Sequence, residues 1–168
     1  FDEVVICAHS DQALRMLRDP SDAETQCLSA IRYQDNVAVL HTDESVLPSR
    51  RKAWAAWNYA RAESEDQESS RVCLHYLLNK LQPLPYSQAV VVSLNPTQPI
   101  DPAKVIRRFD YAHPVFDLAA IEAQQHMHRI QGQQNTWYAG AWLGYGFHED
   151  GLKSGLSVAR ELLLKVHG

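Results

Sequence analysis

The feature that most restricts how this chain can fold is a change of hydrophobic period, from helical to two and back again. Near the start, Ser10 and Asp11, good N-cap residues, precede Ala13, Leu14 and Leu17 at helical spacing. Ser21 and Glu24 then form the S-x-x-E pattern of a capping box ahead of Cys27, Leu28 and Ile31. From about residue 36 the period drops to two. Val37, Val39 and His41 alternate with Ala38, Leu40 and Thr42, and Trp54, Ala56 and Asn58 alternate with Ala55, Trp57 and Tyr59. RVCLHYLL (71–78), AVVVSL (89–94) and KVIRRFDYAH (104–113) extend the series to five strands. Helical spacing returns after Asp117, an N-cap that follows Pro114, with Leu118, Ile121, Met127 and Ile130 near one face and Gly132 placed to end the helix. A short strand at Val4 to Ala8, another at NTWYAG (135–140) and a last helix over LSVARELLLKV complete the order. The expected fold class is α/β (α+β), with a mixed, mostly antiparallel sheet over about 36–110 and the two chain ends meeting beside each other. RAESEDQESS (61–70) is acidic, lacks apolar anchors and is expected as an exposed hairpin tip, while LNPTQPIDP (94–102) is a turn or loop.

Composition narrows the function more than the fold. The 168 residues are 45% apolar, enough for a real core, and the net charge of −4 is spread without a basic strip, which removes electrostatic support for nucleic-acid binding. Cys7, Cys27 and Cys73 are far apart and show no C-x-x-C spacing, which argues against a disulfide framework or a zinc site and for a reducing, cytoplasmic setting. No run of eighteen apolar residues is present. The chain opens on Phe1 and runs directly into FDEVVICA, so it reads as a C-terminal fragment whose targeting signals would lie upstream.

Five of the seven glycines fall within WYAGAWLGYGFHEDGLKSG, Trp137 to Gly155. Glycine permits positive φ and close approach to the backbone at an entropic cost, so a ligand pressed against this loop is expected. A strand, a glycine-rich turn and a helix start together suit a negative charge or an electron-rich carbonyl. By itself that pattern fits a phosphate, a carboxylate or no ligand at all.

The particular residues add a resemblance. YAGAW, followed by GYGFHEDGLKSGLSVARELL, resembles the C-terminal signature of flavin-containing amine oxidases, in which a strand ending in Ala-Gly leads to a Gly-rich helix start. FDEVVICAHSDQALRML resembles a second motif of that family, just before the chain leaves the FAD domain for the substrate domain. Together the two span nearly the whole chain, and the nearest likeness is to bacterial NAD/FAD-binding, amine-oxidase-like oxidoreductases. The resemblance implies residues 1–32 and 117–168 as parts of a Rossmann-like FAD-binding domain and 33–116 as a substrate-binding domain. It implies FAD as cofactor, an amine or lipid-like small-molecule substrate, and hydride transfer to flavin. Gly140 and Ala141 would run beside the ribityl and pyrophosphate part of FAD, Gly144 and Gly146 would let the backbone pass close to the cofactor, and Glu149, Asp150, Gly151 and Leu152 would direct N–H groups toward the flavin pyrimidine edge. Where many relatives carry an acidic residue soon after the Ala-Gly, Ala141 and Trp142 stand here. The G-x-G-x-x-G turn and ribose-binding acid of the family's N-terminal half are not in these 168 residues. That half is therefore an expected partner, this chain alone should bind FAD poorly, and apolar surface left by its absence would favour self-association.

Several side chains have two readings. Tyr145, Phe147 and Trp142 either line the substrate side of the flavin or fill core beside the loop. His148 is the one loop side chain able to move a proton near neutral pH, alongside chemistry that often needs no acid or base. His148, Glu149 and Asp150 are adjacent and do not match a metal-ligand spacing, and His126 and His128 point to different sides of a helix; no metal is expected. His113, in YAHPVF, either touches a ligand or simply precedes a proline. The alternative to an oxidoreductase is a non-catalytic binding or interaction module, or a truncated product that does not bind FAD.

Overall fold

The computed structural model describes residues 1–60 and 73–167, so the acidic segment at 61–70 lies outside the described residues. Among the described residues seven strands and five α-helices follow one another. They are β1 (Val4–Ile6), α1 (Ser10–Met16), α2 (Asp22–Ser29), β2 (Arg32–His41), β3 (Trp57–Ala60), β4 (Cys73–Leu77), α3 (Leu78–Leu81), β5 (Val91–Leu94), β6 (Val105–Val115), α4 (Leu118–His126), β7 (Thr136–Tyr138) and α5 (His148–His167). The class is the expected α+β, with a five-stranded sheet ordered β3-β4-β5-β2-β6 and a two-stranded sheet β1-β7. The chain divides into two compact units, one of Phe1–Gln34 with His113–Gly168 and one of Asp35–Ala112.

In the first unit β1 and β7 pair in parallel, Val4 opposite Thr136 and Ile6 opposite Tyr138. Ser21 caps α2 by the anticipated box: its hydroxyl accepts from the Glu24 N–H, and Glu24 reaches back to the Ser21 N–H at 2.8 Å. The same carboxylate, almost fully buried, takes the Tyr138 hydroxyl at 2.7 Å. Burial alone would raise the Glu24 carboxyl, but the Ser21 and Tyr138 hydrogen bonds hold it below the usual carboxylate range. Around this pair Ala13, Leu28, Ile31, Ala120, Met127, Ile130 and Trp142 close the core.

The second unit is the five-stranded sheet, antiparallel through β3, β4, β5 and β2. Side chains directly opposite share a face. One face carries Trp57, Tyr76, Val92 and Leu40 in one row and Tyr59, Leu74, Leu94 and Ala38 in the next. The other carries Asn58, His75, Ser93 and Val39, with Leu77, Val91 and His41 beside them. A small apolar cluster of Leu47, Leu77, Ala89 and Val91 packs on that second face.

The helix Leu78–Leu81 follows directly on β4 where the sequence pattern offers no helix, and two further elements differ from that pattern. The strand expected to start at Trp54 starts at Trp57, because Asn58 bonds back to Ala55, accepting its N–H at 3.0 Å and donating to its carbonyl at 2.8 Å. That turn uses the backbone a strand would have paired. The helix after Asp117 stops at His126, tightens to a 3-10 turn at Met127–Arg129, and leaves Gly132 beyond its end at φ +69°. Among the described residues no helix is long and apolar enough to cross a membrane.

Candidate functional site

The site grows out of β7. Ala139 N–H continues the parallel pairing by donating to Ile6 O at 3.0 Å; the chain then makes a 3-10 turn at Ala141–Leu143 and enters α5 at His148. Trp142, buried, anchors the turn by donating from Nε1 to Ala8 O at 3.0 Å. Gln124 of α4 holds it from the other side, donating from Nε2 to the carbonyls of Trp142 and Gly144, both at 2.8 Å. Gln131 acts as a substitute strand for β7, accepting the Tyr138 N–H at 2.8 Å and donating to the Tyr138 carbonyl at 2.6 Å. Sequence reasoning passes over both glutamines, since a glutamine on a helix reads as solvated surface until the carbonyls it meets are known.

The glycines fall into two groups. A Cβ on Gly140 would lie 2.6 Å from Cδ1 of the Trp142 ring, and one on Gly144 would lie 2.6 Å from Asp150 Oδ1. Both are required by the chain's own packing, where the sequence pattern suggests a cofactor. Gly146 sits at φ +87°, the left-handed region that favours glycine. Gly151 differs: a Cβ there meets nothing nearer than Ala141 N at 3.7 Å, ordinary contact, so no crowding within the chain explains it.

Asp150 carries the main surprise. Its Oδ2 accepts the N–H groups of Tyr145 and Phe147, each at 3.0 Å, so the concave side of the turn already holds a carboxylate of the chain itself. The N–H groups of Asp150 and Gly151 both donate to Phe147 O, and Leu152 lies within the helical ladder. Of the four residues expected to direct N–H groups outward, Glu149 alone has no partner for its N–H among the described residues, joined by His148 before it. Ala141, half-buried, begins the 3-10 turn with no partner for its N–H among the described residues, Trp142 behind it is buried, and Gly151 packs next to Ala141. Two helical starts thus lie side by side, one of them on a helix of twenty residues. The α5 start fits an electron-rich carbonyl or an anion.

His148, Tyr145 and Phe147 are exposed, the last two at 67% and 65%. Tyr145 packs edge-on to Phe116 with ring centroids 6.0 Å apart. Trp142, by contrast, is core. Beside the turn, between α4 and α5, runs a groove of about 430 Å³ lined by Gln124, Gln131, Gly144, Asp150, Lys153 and Ser154. Among the described residues no three His, Cys, Asp or Glu side chains converge as metal ligands.

No protein-family model matches the chain, and no curated protein matches it in sequence. Its fold is similar to that of a solved structure, the CLA-producing fatty acid isomerase from P. acnes, with a TM-score of 0.61 and 18% identity. The likeness is one of fold; it covers 95% of this chain and 41% of that one, so the chain spans about two fifths of the isomerase's length.

Proposed function

We propose that the chain is part of a FAD-dependent oxidoreductase of the amine oxidase superfamily, in which a hydride passes from an amine or lipid-like substrate to flavin. The observation that carries this reading is the start of the twenty-residue helix α5, where among the described residues the N–H groups of His148 and Glu149 have no partner, beside the 3-10 turn that begins at Ala141. When bound, the flavin supplies the hydride acceptor. The N–H groups of His148 and Glu149, backed by about half a positive charge from the α5 dipole, would hold the electron-rich edge of its ring. Ala141 and the backbone at Gly140 would run along the ribityl side, Tyr145 would border the substrate, and the His148 imidazole at the same turn is the group available to hold a proton.

In this reading residues 1–32 and 117–168 belong to the cofactor part and 33–116 to the substrate part. The apolar rows of the sheet, Trp57, Tyr59, Leu74, Tyr76, Val92 and Leu94, suit the hydrocarbon of a lipid-like substrate, and Trp57 and Tyr59 stand more than half exposed. The fold likeness to an enzyme named for acting on a fatty acid supports the lipid-like option. Exposed Val4, Val5, Leu152 and Leu156 suit the N-terminal half of a FAD domain or, in its absence, a second copy of the chain. The internal carboxylate of Asp150 favours one other reading, a binding module without flavin, since part of the turn's anion-binding capacity is used.

Purifying the natural protein and measuring flavin released by heat separates the two. Stoichiometric flavin is expected; a protein without it that also ignores added FAD overturns the proposal. Gly151→Ala sharpens the result. The chain has space for the methyl group, and the helix should gain up to about 1 kcal/mol in the flavin-free form, while flavin occupancy falls. Normal occupancy in both Gly151→Ala and the bulkier Gly151→Val would remove the cofactor from this turn.

A further inference from the structure

The buried face of the sheet contains a line of polar groups that the oxidoreductase reading does not use. His41, Ser93, His75 and Cys73, on three neighbouring strands, are all nearly or fully buried. The Ser93 hydroxyl lies 2.7 Å from His41 Nε2 and 2.6 Å from His75 Nδ1, and His75 Nε2 lies 3.7 Å from Cys73 Sγ. At one end the backbone N–H of Asp43 donates to His41 Nδ1 at 3.0 Å; at the other the Thr97 hydroxyl donates to Cys73 Sγ at 3.9 Å.

One backbone N–H decides every hydrogen in the line. Because Asp43 N–H points at His41 Nδ1, that nitrogen carries no proton, and in the neutral ring Nε2–H must donate to Ser93. Among the described residues the Ser93 hydroxyl has only the two rings as partners, so its hydrogen goes to His75 Nδ1. His75 Nε2–H then donates to Cys73. All four bonds run in one direction, and each buried polar atom is satisfied once. A proton added to either ring breaks the order: on His41 Nδ1 it faces the Asp43 N–H, and on His75 Nδ1 it faces the Ser93 hydroxyl.

We infer that the His41–Ser93–His75–Cys73 relay is an acid-sensitive latch, which holds the five-stranded sheet together while both imidazoles are neutral and releases it when they are protonated.

Among the described residues the titratable groups facing the relay are Cys73 on β4 and Asp43 just after β2. Around Asp43 stand Lys104 at 3.0 Å, Asp101, whose N–H it accepts at 3.0 Å, and Glu44, which bears on Lys104. The Asp43 carboxylate favours a charged His41, but burial outweighs it and lowers that imidazole's pKa. For His75 burial comes first and the neighbouring His41 second, and together they lower it to about 4. Both groups sit below their unfolded value, so the stability they contribute is complete above about pH 6.5 and drains away as the pH falls toward 4.

The test is nitrogen-resolved NMR of the intact chain with denaturant unfolding at pH 6 and pH 5. Both rings should show the Nε2–H tautomer and fail to titrate near 6.5, and the folding constant should drop by about sevenfold from pH 6 to pH 5 through His75, and by more through His41. His75→Asn, which keeps an acceptor for Ser93 without a charge, should remove the His75 share of the drop and leave only that of His41. An Nδ1–H tautomer on either ring, titration of either near 6.5, or a pH dependence that His75→Asn leaves unchanged would overturn the proposal. The tautomers are read on the unaltered protein, so an unfolded variant leaves that arm decisive.

Discussion

The two faces of the five-stranded sheet depart from the usual assignment. An antiparallel sheet commonly turns apolar side chains to the core and polar ones to water. Here the buried face mixes Asn58, His75, Ser93 and His41 with Val39, Leu77 and Val91, while Trp57 and Tyr59 on the opposite face stand 58% and 61% exposed. A buried polar side chain stabilises only when its partners are complete, and these are complete through long-range register. A large apolar row left in contact with water is costly unless something covers it. The polar face therefore finds its partners within the sheet, whereas the aromatic face has to find them outside it, which is why the substrate side of the proposal is placed there.

The comparison can be broken most sharply on the buried side. Ser93→Ala removes the middle of the relay, leaving the His41 Nε2–H and His75 Nδ1 without partners; it should cost roughly 2–4 kcal/mol by denaturant unfolding. A smaller loss, roughly 1–3 kcal/mol, is expected for Asn58→Ala, which strands the Ala55 backbone groups and the His75 carbonyl. On the open face Trp57→Ala gives up an edge-on contact to Tyr76 at 5.5 Å and should cost no more than about 1 kcal/mol, while weakening binding of a fatty acid or similar amphiphile. If Trp57→Ala destabilised as much as Ser93→Ala, the two faces would not differ in kind.

The period changes were enough to read the class, the capping box at Ser21 and the sheet from the sequence, because each depends on residues close together in the chain. The relay was not legible. His41, His75 and Ser93 lie in separate strands, and only the register of β2, β4 and β5 brings them to one hydroxyl. At the glycine loop the location was readable and the reason was partly different: Trp142 and Asp150, each within six residues of the glycine it crowds, account for Gly140 and Gly144. The sequence offers no cue that a carboxylate will fold back onto the turn preceding it.

The pairing of β1 with β7 also bears on the order in which the protein is made. Val4 waits for Thr136, 132 positions later, and at about 5–20 residues per second that is roughly seven seconds or more of synthesis. Residues 35–112 form a continuous segment whose first and last strands, β2 and β6, are neighbours in its sheet, so this unit can fold while the other is still incomplete. Its folding brings the two connections to the first unit close together and shortens the loop that β1 and β7 must close. A purified chain ending just after β6 should already protect the five-stranded sheet from protease while β1 remains open.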